Sequence, residues 1–263
     1  TSNWDKESTW TGWTDVVSAT TRSIALKNNI NYGVAGLKTV VKCEAAALED
    51  NRHAHNSDLG NQSISVPTDG FEVTGILIGG QPNTVNWQFI NTSTEENSRK
   101  YVVYDKIIND VKANASAYSS EAIYTLVFDN WKSGETQEKV TFALELQNGD
   151  VEFYGQEGVI AAGQKFYLIG QLDPTSKSIS WPTYPDPSVT KSTLPESYRN
   201  RYPVKAKNDR VFVQDFTTTA QVNIKSLKNA YVTIPDLRAT KLQLGLSVDL
   251  TWQTGLTFDV NIE

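Results

Sequence analysis

The residues best placed to do chemistry are His53 and His55, followed by Asp58, in the stretch "HAHNSD". On a strand, residues two apart share a face, so an H-x-H pair could grip one metal ion. These are the only two histidines, and the Asn, Ser, Asp and Gly around them read as a solvated polar loop, so no metal site is assigned. The lone cysteine, Cys43, excludes an internal disulfide framework and any multi-cysteine metal site. It lies in the apolar stretch "KTVVKCEAAAL" and reads as a small buried hydrophobe rather than a reactive thiol. There is no G-x-S-x-G elbow, Walker loop, EF-hand loop or dinucleotide fingerprint. With 30 carboxylates, a glycosidase-type pair could form anywhere, and nothing nominates one. The expectation is a chain with no catalytic residues, no metal and no cofactor.

Aromatic side chains offer a second chemistry, because ring faces stack on pyranose rings. Of the seven Trp, Trp87, Trp131 and Trp252 fall in or beside strand patterns and are expected in a core. Trp181 and Tyr184, in "SISWPTYPDP", are expected at the surface with the leader residues Trp4, Trp10 and Trp13. Trp181 and Tyr184 are the candidate ligand-facing aromatics of an alternative function, a surface carbohydrate-binding β-sandwich module. N-x-S/T sequons occur at Asn61, Asn91 and Asn114, a short pattern with a high chance rate.

Bulk properties bound the elements that must position such residues. A chain of 263 residues, 39% apolar and 10% aromatic, can bury a large core. A formal charge of −6 with no Lys/Arg-rich run gives no basic footprint, so no nucleic-acid partner is expected. No apolar run is long enough to cross a membrane as a helix, and with no initiator Met, Thr1 is expected to arise by processing or truncation.

Residues 1–34, rich in Ser, Thr and Asn, read as a leader or the remnant of a preceding segment. From residue 35 to 263 strand patterns dominate. "KTVVKCEAAAL" reads as a strand whose Ala run could equally be helical. In "FEVTGILIGGQ", Phe71, Val73 and Ile76–Ile78 bracket a bulge at Gly75. "VNWQFIN", "AIYTLVFDNW", "KFYLIGQL" and "RVFVQDFTTTAQVNI" are further strands. "KYVVYDKIINDVKAN" spaces Val103, Ile107 and Val111 four apart and predicts the one amphipathic helix. "KVTFALELQNGDVEFYG" alternates at Val140, Phe142, Leu144 and Leu146, then carries a hairpin-type Asn148-Gly149. Six of nine prolines crowd the stretch after residue 173, so 174–209 reads as a Pro-rich excursion. "SLKNAYVTIPDLR" reads as a short turn or helix closed by Pro235. Together these predict an all-β protein, a Greek-key β-sandwich with at most one or two short helices.

The chain finishes on "GLSVDLTWQTGLTFDVNIE", in which every second residue is apolar on either side of a predicted three-residue loop, Gln253-Thr254-Gly255. In the last run Leu256, Phe258, Val260 and Ile262 share one face, with no Lys, Pro or second Gly to blunt an edge. Such a strand either lies inside its own sheet or pairs with an open edge on another molecule.

"VTFALELQNGDVEFYGQEGVIAAGQKFYLIGQLDP", "RVFVQDFTTTAQVNIKSLKNAYVTIPDLR" and "LGLSVDLTWQTGLTFDVNIE" resemble the fimbrillins, the type V pilus subunits of Bacteroides-type bacteria. The resemblance runs from about Lys38 to Glu263 and corresponds mainly to the family's C-terminal domain. It implies transthyretin-like β-sandwiches, secretion as a lipoprotein, and a place in a fimbrium attached to the outer membrane. It also implies assembly by strand exchange: an Arg-specific protease opens a groove, and the C-terminal strand of another subunit fills it. Leu256, Phe258, Val260 and Ile262 are then the candidate donor-strand knobs. Arg22, in "SATTRSIAL", is the candidate cleavage site, with Arg52 a poorer one. The implied partners are other fimbrial subunits and a host surface protein or glycan.

Overall fold

In the computed structural model, alternation of apolar residues builds strands throughout, and the protein is all-β. The structure describes residues 33–82, 84–86, 101–129, 139–173, 211–212, 216–239 and 241–254. They fall in one compact unit, Gly33–Glu263. The strands are β1 (Ala35–Cys43), β2 (Ala47–Glu49), β3 (Ser63–Ser65), β4 (Phe71–Gln81), β5 (Tyr101–Lys106), β6 (Lys112–Ala113) and β7 (Ile123–Val127). They continue with β8 (Val140–Gln147), β9 (Phe153–Tyr154), β10 (Val159–Ile160), β11 (Lys165–Leu172), β12 (Phe216–Ile224) and β13 (Leu246–Thr254). The helical content among the described residues is one turn, α1 (Arg52–His55), followed by a 3-10 turn at Ser57–Leu59.

Two sheets carry the core. One has the order β13-β12-β1-β7; the other runs β11-β8-β4-β5, with β6 also on β4. In β1 the odd residues Leu37, Val41 and Cys43 are buried, and β1 runs parallel to β12 from Gly36↔Thr217 to Cys43↔Ile224. A parallel pair needs a long crossover, here the body of the fold between the two strands. Phe71, Phe142, Phe153 and Phe166 are fully buried between the sheets. Phe166 meets Phe71 and Phe153 edge-on, at 5.6 and 5.1 Å between centroids, the favoured arrangement of two ring quadrupoles. Truncating one such Phe to Ala typically costs about 3–5 kcal/mol.

The bulge read at Gly75 is present: pairing with β8 shifts register between Val73 and Gly75. The extra residue moves the buried set from Phe71 and Val73 to Ile76 and Ile78. Without the bulge, one of those two pairs would face outward. Cys43 is buried as read, and its thiol donates to the Ala113 carbonyl oxygen at 3.2 Å.

Three expectations are corrected. Residues 101–113 form β5, an irregular link and β6 rather than a helix. Positions four apart are also two steps of a two-residue period, so Val103, Ile107 and Val111 share a core-facing side on extended chain too. The Asn148-Gly149 turn makes no tight hairpin with "VEFYG", because β8 is already paired by β4 and β11. Instead residues 148–164 are the loop of the β8–β11 hairpin. Asn148 clasps its neck, donating through Nδ2 to the carbonyl oxygens of Val151, Ile160 and Ala161 at 3.0, 3.3 and 2.8 Å. Finally, Gln253 and Thr254 do not turn: β12 continues to Phe216, and they stay in β13 opposite Thr217 and Phe216.

Candidate functional site

On the outer face of the β11-β8-β4-β5 sheet, one transverse row reads Gly75, Glu145, Tyr167. Gly75 has no side chain, and a Cβ there would lie 2.8 Å from the Tyr104 ring. The ring occupies that space, and its hydroxyl donates to Glu145 Oε1 at 3.3 Å. Thr74, turned to the same face by the bulge, donates to Oε1 at 2.7 Å. Lys165 Nζ reaches Oε1 at 2.6 Å, and the Tyr167 hydroxyl donates to Oε2 at 2.9 Å. Glu145 is only 4% exposed.

Burial pushes the Glu145 carboxyl up, while the bonds from Lys165, Thr74 and Tyr167 pull it down further, leaving it below its ordinary value. Burial first, then the bond to Glu145, pushes the Tyr167 hydroxyl up to about 12. The bond to Glu145 raises Lys165. An ionised carboxylate with donors on both oxygens has no proton to give. Its arrangement locks β4, β5, β8 and β11 together. Beside it, Leu77, Ala143, Tyr167 and Ile169 are roofed by Tyr231 and Leu237 from the segment after β12.

A second polar centre forms where β2 meets β9. Asp50, 1% exposed, accepts from Arg52 Nε at 2.9 Å on both oxygens and from the Tyr154 backbone N–H at 3.0 Å. His55 Nε2 lies 3.0 Å from the Gly155 carbonyl oxygen. The two histidines thus sit on α1 rather than on a strand. Among the described residues no three His, Cys, Asp or Glu group to hold a metal ion. This centre also positions chain segments.

The sheet edges differ from one another. β11 is capped: Tyr167 and Tyr231 exchange two backbone bonds of 2.9 Å, and the Gly245 N–H donates to the Ile169 carbonyl at 3.0 Å. β13, β5 and β7 end their sheets among the described strands. β13 pairs along the full length of β12, from Ile224↔Leu246 to Phe216↔Thr254. Its even residues Leu246, Val248 and Leu250 face the core, and Asp249 faces out. On the opposite flank the Thr125 hydroxyl of β7 donates to Asp105 Oδ2 of β5 at 2.8 Å, tying the two sheets.

The sequence-derived positions Arg22, Trp181, Tyr184, Leu256, Phe258, Val260 and Ile262 all lie outside the described residues, as does the 174–209 excursion. Sequence reasoning missed Glu145 and Asp105. Glu145 occupies a polar slot in a clean alternation, where an acid reads as solvent-facing. Asp105 lies in the stretch read as a helix.

No family model matches the chain, and neither does any curated protein. Among the solved structures that match is a provisionally assigned cell adhesion protein from Bacteroides eggerthii, with 8% identity and a TM-score of 0.36. The match covers 86% of this chain and 56% of that one, so the chain spans little more than half the length of its neighbour. A TM-score that low carries no argument about fold or function.

Proposed function

We propose that the protein is a structural subunit of a cell-surface fimbrium that assembles by β-strand exchange and supports adhesion. The observation that carries this reading is the alternating apolar pattern that the chain carries on after β13. Among the described residues β13 pairs with β12 in unbroken register from Ile224↔Leu246 to Phe216↔Thr254. Past Thr254, Leu256, Phe258, Val260 and Ile262 keep the alternation of a strand with one apolar face, with no Lys, Pro or second Gly to blunt an edge. Such a run suits donation to another subunit, where main-chain bonds supply affinity and alternate pockets supply specificity. The long phrases shared with fimbrillins support the same reading, and with it the outer-membrane location, lipoprotein origin and self-like partners. The polar centres at Glu145 and Asp50 are consistent with a structural role, since their donors and acceptors are spent within the fold.

The test compares Phe258→Asp with Asp259→Ala. If the even face is the buried one, Phe258→Asp removes an apolar knob and inserts a charge, and polymer yield falls at least about tenfold. Asp259→Ala leaves the yield within about twofold. Equal effects of both changes would refute strand exchange by this face. A thermally destabilised Phe258→Asp monomer would show that the strand belongs to its own sheet.

A further inference from the structure

We infer that the edge of β5 that no described strand pairs is a docking site for an extended peptide strand carrying a Lys or Arg between apolar residues on its inward face. β5 ends its sheet: among the described residues β4 is its partner on one side and no strand lies on the other. The edge carries no Pro or Gly. Exposed apolar surface gathers here, with Val102, Tyr104 and Ile108 at 41%, 48% and 90% exposure. An added strand would extend the sheet and cover part of that surface.

Asp105 decides which strand is accepted. It lies on the core-facing side between Val103 and Ile107, both packed against the core. Its carboxylate is held by the Thr125 hydroxyl at 2.8 Å, and among the described residues no cation pairs with it. Lys106, next in sequence, belongs to the opposite face of the strand. An inward-pointing charge is one of the devices by which edges refuse unwanted strands. A strand with a wholly apolar inward face would bury this carboxylate with no compensating charge, which is costly. A strand whose inward residue level with Asp105 is Lys or Arg would supply the missing cation at the flank, where charge complementarity selects partners.

The strand proposed for this edge differs from the donor run of the assembly reading. The face Leu256, Phe258, Val260 and Ile262 has no cation, so it is disfavoured beside Asp105. The inference therefore stands or falls independently of fimbrial assembly.

The experiment measures binding of fluorescent acetylated peptides to the full chain by anisotropy. The probes alternate Thr with Val and carry Lys, norleucine or Glu at the central inward position. A further Lys peptide is N-methylated on alternate backbone nitrogens. Wild type is expected to bind the Lys peptide at least about tenfold more tightly than the norleucine peptide, and the Glu peptide not at all. N-methylation should abolish binding. In Asp105→Asn, which keeps an acceptor for Thr125, the preference should drop below about twofold while the circular dichroism spectrum stays native. Equal binding of the Lys and norleucine peptides would overturn the inference. So would no binding of the Lys peptide at millimolar concentration, or a preference that survives Asp105→Asn.

Discussion

Glu145→Ala is expected to cost about 3 kcal/mol of folding stability, for reasons that can be assigned atom by atom. The carboxylate accepts from Lys165, Thr74, Tyr167 and Tyr104. Removing it leaves the Tyr167 hydroxyl, on a residue 8% exposed, without its acceptor. Such a loss is worth about 1–3 kcal/mol for a buried group, and part-buried Thr74 adds a smaller share. Lys165, with a side chain 45% exposed, is rehydrated and contributes little. Glu145→Gln should cost only about 1 kcal/mol, since one amide oxygen still serves Thr74 and the Tyr167 hydroxyl can accept from the amide nitrogen.

The pH dependence has a definite sign. Glu145 is depressed in the folded state, so its contribution is present above the ordinary glutamate range and is lost as pH falls through its native value. Urea titrations at neutral pH and through the acid range should therefore show the wild-type advantage over Glu145→Gln shrinking toward zero in acid. An Ala variant within about 0.5 kcal/mol of wild type, the scatter of neutral surface changes, would refute the reasoning.

At the alkaline end, Tyr167 is raised from 10.0 to about 12, so its neutral form is favoured in the fold and stability should fall as pH climbs between those values. Tyr167→Phe should flatten that limb of the denaturation profile; an unchanged limb would contradict the assignment. Cys43, its thiol pushed up to about 12 by burial, should resist an aromatic disulfide reagent until the chain unfolds. Rapid stoichiometric labelling of the native protein would count against its position in the core. Gly155→Ala should cost about 3 kcal/mol or more, because its Cβ would overlap the Ala230 carbonyl oxygen, which accepts from the Gln156 N–H at 2.7 Å. Calorimetry showing a native melting temperature for that variant would exclude so tight an approach.

The legible parts of the fold were those with local causes. Gly75 between two apolar sets announced a bulge, and the apolar setting of Cys43 announced burial. The stretch 101–113 was misread because a spacing of four satisfies both periods; the β-branched pair Val102-Val103 was the available clue. Asn148-Gly149 carries the strongest short-range hairpin signal. Competition for β8 decided against it: with its two sides taken by β4 and β11, "VEFYG" had no open side of β8 to pair with. The chain returns to β8 only at Lys165. The parallel pairing of β1 with β12 joins residues at opposite ends of the described chain, and no local pattern encodes it. Glu145 was illegible for a related reason. A polar slot in an alternating strand says nothing about the Tyr, Thr and Lys that other strands bring to it.

The most direct measurement of the central claim treats the full chain with an Arg-specific protease. The product is then followed on an unheated denaturing gel and by negative-stain microscopy. Strand-exchange assembly is expected to give a ladder of denaturant-resistant multimers, with loss of the segment before Ser23. A trimmed product that remains strictly monomeric would contradict it, and would mean that the run after β13 completes a sheet of its own subunit.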